Sequence, residues 1–340
     1  MIYVEEKPII GIMSTTLRPW PLFDLNKNPR FRLLVFTKKG INWREESISG
    51  LAFEDNNWKE KTLPFPNVIY NRLYTSNNKI ARKFERKIGK GKVFNYITRF
   101  NKWTIYKILK QSTVSEFLPR TYFYRSNYLI DLLRNEQMLI LKPCQSYLGS
   151  NVYLLKLINN SNFQLYYRTN IPRLTTTDGD EFKKYVRGLT QKNFILQQFI
   201  EFDKINDKIY DIRMLVQKNE NGQWTVSGGL SRISYTNYYI TNYSSKIISL
   251  ESLLESKPLL KNTIEQIKSI CLITAETLES KLGHLGDIGV DFGIDQEGKC
   301  GIIEVNGKTQ KLLVDRTKNA DLIRAAYLKP IEYANFLTKL

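Results

Sequence analysis

The chain has 340 residues, and its 51 Lys and Arg outnumber 33 Asp and Glu to give a net charge of +18, with 42% hydrophobic and 12% aromatic residues. That is enough apolar sequence for two or three domains with a sizeable core, and it excludes a disordered or fibrous chain. The opening "MIYVEEKPIIGIMS" carries acids where a secretion signal needs a basic start, and no apolar run reaches membrane-spanning length, so a cytoplasmic protein with no membrane partner is expected. Cys144, Cys271 and Cys300 lie far apart without CxxC spacing, which predicts buried small hydrophobes rather than a disulfide framework or zinc knuckle.

Residues 1–98 read as a small α/β domain. Three apolar strand-like runs, "PIIGIM", "FRLLVFT" and "NVIYNRLY", are separated by turn-rich polar segments and followed by the helix "KIARKFERKI". That helix sets Ile80, Phe84 and Ile88 on one face and basic residues on the other, within a stretch from Lys79 to Lys110 that holds eleven Lys or Arg against the single acid Glu85. A solvated face accounts for most of these charges; docking of an acidic peptide or polymer is the alternative, and no nucleic-acid partner is expected.

Residues 99–340 read as a second, larger unit. "NKWTIYKILK" predicts a helix with Asn101 as N-cap and Lys102 in its first turn. A β-rich block over about 120–200 follows: "MLILKP", "NVYLLKL" and "FQLYYRT" as strands, "TDGDEFKKYVRGL" as a helix, "NFILQQFIEF" as a strand. Beyond residue 201, "YDIRMLVQ" and "WTVSGGLSRIS" flank "KNENGQ" as a hairpin, and residues 262–283 form the longest helix, closed by Gly283. The final "ADLIRAAYLKPIEYANFL" predicts two short helices broken at Pro330.

The most informative stretch is "GVDFGIDQEGKCGIIEVNG". A two-residue loop at Glu297 and Gly298 places Asp291 directly opposite Glu304, with Asn306 two residues further along the same face. Like charges facing across a ladder destabilise it unless a positive charge sits between them. Either this is a solvated edge, or it is an oxygen-donor site for a hard divalent cation that takes its remaining ligands from water and phosphate. The run of acid, acid and amide in "IIEVNG" favours the cation.

No GxxxxGK[ST] loop or dinucleotide fingerprint is present, so phosphates would need side-chain cations carried on strands. Lys142, Arg213 and Arg232 each stand alone inside an apolar strand. Singly, each reads as a snorkelling edge residue; together with the acidic hairpin they suggest a converging set.

The order "FNKW", "LKP", "LQQFIE", "YDIRMLV", "GGLSR", "GVDFGID", "IIEVNG" resembles the ATP-grasp superfamily, and most closely its YheC/YheD-type proteins associated with bacterial endospore coats. The resemblance implies an α+β fold in which two subdomains grip ATP behind the N-terminal α/β domain. It also implies a reaction in which a carboxylate attacks the γ-phosphate and an amine then displaces phosphate from the acyl phosphate. By position, Lys102 and Lys142 match the nucleotide-binding lysines, and Ser146 and Gly149 lie in the loop that would cover the phosphates. Gln197, Gln198, Phe199, Ile200 and Glu201 match the adenine hinge, with Glu201 or a nearby acid suited to the ribose. Asp291, Glu304 and Asn306 match ligands of one or two Mg2+ ions, with Mn2+ as a substitute, and Arg213 and Arg232 match arginines near the γ-phosphate.

The loop "CQSYLGSNVY" departs from a glycine-rich lid, having only Gly149 beside the bulky Tyr147. His284 is expected to be structural, and Lys308 to reach solvent. A carboxylate–amine ligase is the leading reading; a kinase on the same fold, or a non-catalytic coat-associated binding protein, are the alternatives, and the carboxylate and amine substrates are not specified by the sequence.

Overall fold

The computed structural model describes residues 7–22, 30–146, 149–190 and 193–340. Its architecture is three sheets with helices packed on and between them. The first contains β1 (Ile9–Met13), β2 (Arg32–Asn42), β3 (Ser47–Glu54), β4 (Asn57–Pro64), β5 (Val68–Asn71) and β6 (Val93–Phe94), in the order β4-β3-β2-β1-β5-β6. β2, β1, β5 and β6 run parallel, while β2, β3 and β4 form an antiparallel meander. The hairpin of β3 and β4 occupies what the sequence presents as turn-rich polar linker. β4, "NWKEKTLP", is a mostly exposed, charge-bearing edge strand, and such a strand has no apolar alternation to betray it. α1 (Lys79–Ile88) covers one face of this sheet with Ala81 and Phe84.

The second sheet follows α2 (Lys102–Leu109), whose N-cap Asn101 accepts from the Thr104 N–H as the sequence predicts. It comprises β7 (Thr121–Phe123), β8 (Met138–Pro143), β9 (Tyr153–Ile158), β10 (Asn162–Tyr167), β11 (Pro172–Thr176) and β12 (Phe194–Gln198), with α3 (Leu129–Glu136) and α4 (Gly179–Leu189) packed on one face. Asp178 caps α4 and accepts from the Asp180 and Glu181 N–H groups.

The third sheet holds β13 (Lys204–Ile205), β14 (Lys208–Lys218), β15 (Trp224–Ser234), β16 (Ser244–Ser249), β17 (Asp287–Ile294) and β18 (Cys300–Asn306), with the main order β16-β15-β14-β17-β18. α5 (Leu250–Ser256) and the long α6 (Lys261–Leu282) bury Leu253, Ile264, Ile267, Cys271 and Leu278 against it, and Gly283 closes α6 at φ +92°. After α7 (Lys311–Asp315), α8 (Ala320–Thr338) returns across the molecule. Its Tyr327, Ile331, Tyr333 and Leu337 complete the core of the first sheet.

α8 is one helix, not two. Pro330 removes the N–H that would reach the Ala326 carbonyl, four residues back. Here that carbonyl accepts instead from Lys311 Nζ and, at 3.3 Å, from Gln217 Nε2, so the helix passes through the proline with its orphaned acceptor satisfied. All three cysteines are free and buried. No helix among the described residues is long and apolar enough to cross a membrane.

Candidate active site

The second and third sheets face each other across a cleft open to solvent on one side, lined by residues of both sheets and of the segment that precedes α2. β17 and β18 form its floor. Asp291 pairs with Glu304 as the sequence suggests, but by another route. The loop has three residues, 296–298: Asp295 Oδ1 accepts from the Glu297 and Lys299 N–H groups, and Gly298 turns at φ +80°. A bulge at Ile303 then shifts the register by one and brings Glu304 opposite Asp291. The bulge also frees the Ile303 carbonyl, which accepts from Lys142 Nζ at 3.2 Å.

Lys142, at the end of β8, is only 5% exposed, and its other partner is the neutral Gln197 Oε1 at 2.7 Å. Burial without a bonded carboxylate pushes its ammonium down to about 8. Gln197 is held in turn by the Thr121 hydroxyl, to which its amide donates at 3.1 Å. Lys102, from the first turn of α2, pairs with Glu304 Oε1 at 3.1 Å and donates to Ser146 Oγ at 3.2 Å.

Arg213 and Arg232 are not the lone cations the sequence suggests. Arg213 Nε and Nη2 each donate to Asp291 at 2.6 Å, and its Nη1 donates to Gln310 Oε1 at 3.2 Å. Arg232 makes a bidentate pair with Asp211 and reaches Asp291 Oδ2 at 3.1 Å; the Thr241 hydroxyl donates to Asp211. This alternating chain lies across β15, β14 and β17, with all four charged groups no more than 6% exposed. Burial pushes the Asp291 carboxyl up, but the two guanidiniums outweigh it and hold the carboxyl below its ordinary range. Asp211 escapes the sequence reading, although its place two residues before Arg213 on the same strand face is the signal that could have exposed it.

As a cation site, Asp291, Glu304 and Asn306 fit on donor chemistry. All are hard oxygen donors, and Asn306 Nδ2 approaches Asp291 Oδ2 at 3.4 Å, so the three side chains share one patch. Among the described residues Asp291 Oδ1 engages only Arg213 and Glu304 engages only Lys102 through Oε1, so lone pairs remain on both carboxylates. Among the described residues no cluster of three or more His, Cys, Asp or Glu is poised to hold a metal; this candidate has two carboxylates and an amide.

At the other end of the cleft, Gln198, Phe199 and Ile200, from the segment expected to act as the hinge, line the wall. The N–H groups of Gln198 and Phe199 are bound to the Arg120 and Met138 carbonyls, whereas those of Ile200 and Glu201 donate to no group among the described residues. The Glu201 side chain is not brought into the cleft. Ile200 and Phe202 turn inward, against Gly301 and Gly293, so Glu201 faces outward into a neighbouring groove with Glu116, Asp295 and Glu297. Gly149 has φ +66°, and a Cβ there would stand 2.8 Å from Asn242 Cβ, so the loop can approach only as glycine. Tyr147 lies outside the described residues.

Lys308 bonds to no group among the described residues. It lines the cleft half-buried, and desolvation beside Arg72 pushes its ammonium down to about 8. His284 is remote from the cleft, packed among Phe94, Tyr96 and Tyr333 and hydrogen-bonded to the Tyr333 hydroxyl at 2.6 Å. Of the basic stretch, Arg99 and Lys102 turn into the cleft, while Lys83 stacks on Trp43 and Lys87 pairs with Glu46.

Two solved structures share this arrangement of sheets. D-alanyl-alanine synthetase A from Vibrio cholerae O1 biovar eltor matches 99% of this chain and 100% of its own, at a TM-score of 0.55 and 13% identity. The D-alanine-D-alanine ligase from Coxiella burnetii matches 98% of each chain, at a TM-score of 0.50 and 10% identity. The likeness shows a shared α+β fold. The profile of the YheC/D like ATP-grasp family matches residues 90–337, so the chain belongs to that family and its fold is of the ATP-grasp type. Among curated proteins it is 28% identical to the endospore coat-associated protein YheD of Bacillus subtilis strain 168, over 99% of this chain and 80% of YheD. It is 26% identical to YheC of the same strain, over 74% of this chain and 72% of YheC.

Proposed function

We propose that the protein is an ATP- and magnesium-dependent ligase that activates a carboxylate as an acyl phosphate and passes it to an amine. The observation that carries this reading is the cleft floor, where two arginines converge on Asp291 beside Glu304 and Asn306 while Lys142 has only neutral hydrogen-bond partners among the described residues. A buried ammonium with no bonded carboxylate is costly, and phosphate oxygens are the partner that would offset the cost.

In this reading the free N–H groups of Ile200 and Glu201 meet adenine, and Lys142 and Lys102 meet the phosphate chain. Asp291, Glu304 and Asn306 would hold Mg2+, which when bound neutralises charge on the phosphoryl group in transfer. A substrate carboxylate oxygen attacks the γ-phosphorus and the bond to ADP breaks; the amine nitrogen then attacks the acyl carbon and phosphate leaves. Arg213 and Arg232 supply fixed positive charge where oxygens accumulate negative charge, held in place by Asp211 and Gln310. Ser146 and Gly149 stand where a closing loop would exclude water.

The first experiment is thermal melting. MgATP is expected to raise the melting temperature of the wild type and to have no effect on Asp291→Asn combined with Glu304→Gln; an unchanged wild-type melt would sink the reading. Release of phosphate, as opposed to its retention on product, separates the ligase from a kinase.

A further inference from the structure

The proposed reaction leaves two cations of the cleft without employment. Of the six cationic side chains that line it among the described residues, Arg213, Arg232 and Lys102 are bound to carboxylates, and Lys142 is assigned to phosphate. Arg99 and Lys308 remain. Arg99 has a buried Nε with no acceptor among the described residues, and its guanidinium touches only the Tyr74 ring face, 5.2 Å from the centroid, and the Gln145 carbonyl at 3.5 Å. Lys308 has no hydrogen-bond or ion-pair acceptor among the described residues and lies near a further cation, Arg72. Both therefore present donors without acceptors among the described residues to a cavity.

Their position is fixed by the chain. β18 runs away from the hinge: Gly301 packs on Ile200, Glu304 and Asn306 follow in the middle of the cleft, and Lys308 comes next. Gly307 lies against the Phe100 ring so closely that a Cβ there would be 2.6 Å from it, which sets Arg99 and Lys308 as chain neighbours on either side of one contact. Lys308 is also two residues from Gln310, which holds Arg213. Its Cα is thus within about 7 Å of residues on each side that touch the reacting centre. The pair stands beyond the candidate metal residues, on the side opposite adenine, where a second substrate must enter.

We infer that Arg99 and Lys308, with Tyr74 and Gln310 beside them, form the subsite for a second carboxylate on the activated substrate, so that the substrate class is a dicarboxylate such as an acidic amino acid. This deepens the proposed ligase reading and rests on it. One carboxylate would lie by Arg213 and Arg232 and be activated, while the other is held by two charge-assisted contacts that do not change during transfer and so govern selection.

The test traps the acyl phosphate with hydroxylamine, whose nitrogen attacks the acyl carbon and expels phosphate to leave a hydroxamate. Glutarate, L-glutamate and L-aspartate are compared with butyrate and L-glutamine in the presence of MgATP. Hydroxamate is expected from at least one dicarboxylate, and about tenfold less or none from its monocarboxylate counterpart, because one charged hydrogen bond is worth that factor or more. Arg99→Gln and Lys308→Gln should each raise KM for the dicarboxylate about tenfold more than KM for ATP. Equal turnover of butyrate and glutarate overturns the inference. So does a rise confined to the KM for ATP, which would make the two cations phosphate ligands. Melting temperatures keep the two readings apart: if MgADP stabilises the protein but no dicarboxylate adds to the shift over butyrate, the subsite is wrong and the nucleotide site stands. If neither nucleotide nor dicarboxylate shifts the melt, both fall.

Discussion

Asp287 and Asp291 stand four residues apart on β17, both buried and both surrounded by cations, and they are built for opposite ends. Asp287 is closed in. Tyr70, Gln217, Thr309, Arg72 and Lys311 all donate to its carboxylate, the last four at 3.2, 3.0, 3.5 and 3.3 Å, and its own N–H donates to Asn95. These partners come from β5 and the residue after it, the residue after β6, β14 and the segment through the start of α7, so this one residue pins the first sheet to the third. Asp291 has two arginines and Asn306, with unused lone pairs turned to the cleft. A saturated buried network rigidifies a joint; an unsaturated one leaves room for a ligand.

The comparison can be broken at either end. Asp287→Asn strands Lys311 and Arg72 at the joint and should cost about 3–5 kcal/mol, the usual penalty for removing one partner of a buried pair. A large fall in melting temperature is expected, with the MgATP-induced rise retained in the protein that stays folded. Asp291→Asn should cost less, about 1–3 kcal/mol, because Arg232 keeps Asp211 and the cleft admits water. In that variant the apo protein melts a little lower and the MgATP-induced rise disappears. Equal loss of nucleotide response in both variants would show that the two aspartates are not functionally distinct.

Lys142 sharpens the contrast, because here the unfolded state prefers the charge. Its ammonium titrates near 8 in the fold and near the ordinary lysine value when unfolded, so burial of the charge costs on the order of 3 kcal/mol below that pH. Between about 8 and the ordinary value the folded form has shed its proton, so this residue's penalty shrinks as pH rises. Lys142→Met should therefore melt no lower than wild type at pH 7, yet lose most of its MgATP response. Wild-type affinity for ATP should fall as pH passes about 8, measured by titration of the melting shift. The smallest effect is Gly149→Ala, where left-handed backbone and the Asn242 contact together cost about 1–2 kcal/mol and weaken nucleotide binding without abolishing it.

Much of the frame is legible in the chain because it rests on local rules. Asn101 caps α2, Gly283 ends α6, and "QEGK" turns the β17–β18 hairpin, each from residues within a few positions of one another. The facing of Asp291 and Glu304 is legible too, although a longer loop and a bulge at Ile303 replace the simple two-residue turn. The edge strand β4 is hidden because its polar composition suits a turn and an exposed edge equally.

What the chain by itself determines, then, is which side chains lie on which face of each element. Strand order decides the rest. β14 lies between β15 and β17, and only that placement brings Asp211, Arg232, Asp291 and Arg213 into one alternating chain of charges whose bonded partners are as many as 78 positions apart. Pro330 likewise reads as a helix breaker until Lys311 and Gln217 are seen to satisfy the carbonyl it orphans. A buried charge or an orphaned carbonyl is costly or tolerable according to its partners, and those partners are distant in sequence and supplied by the fold.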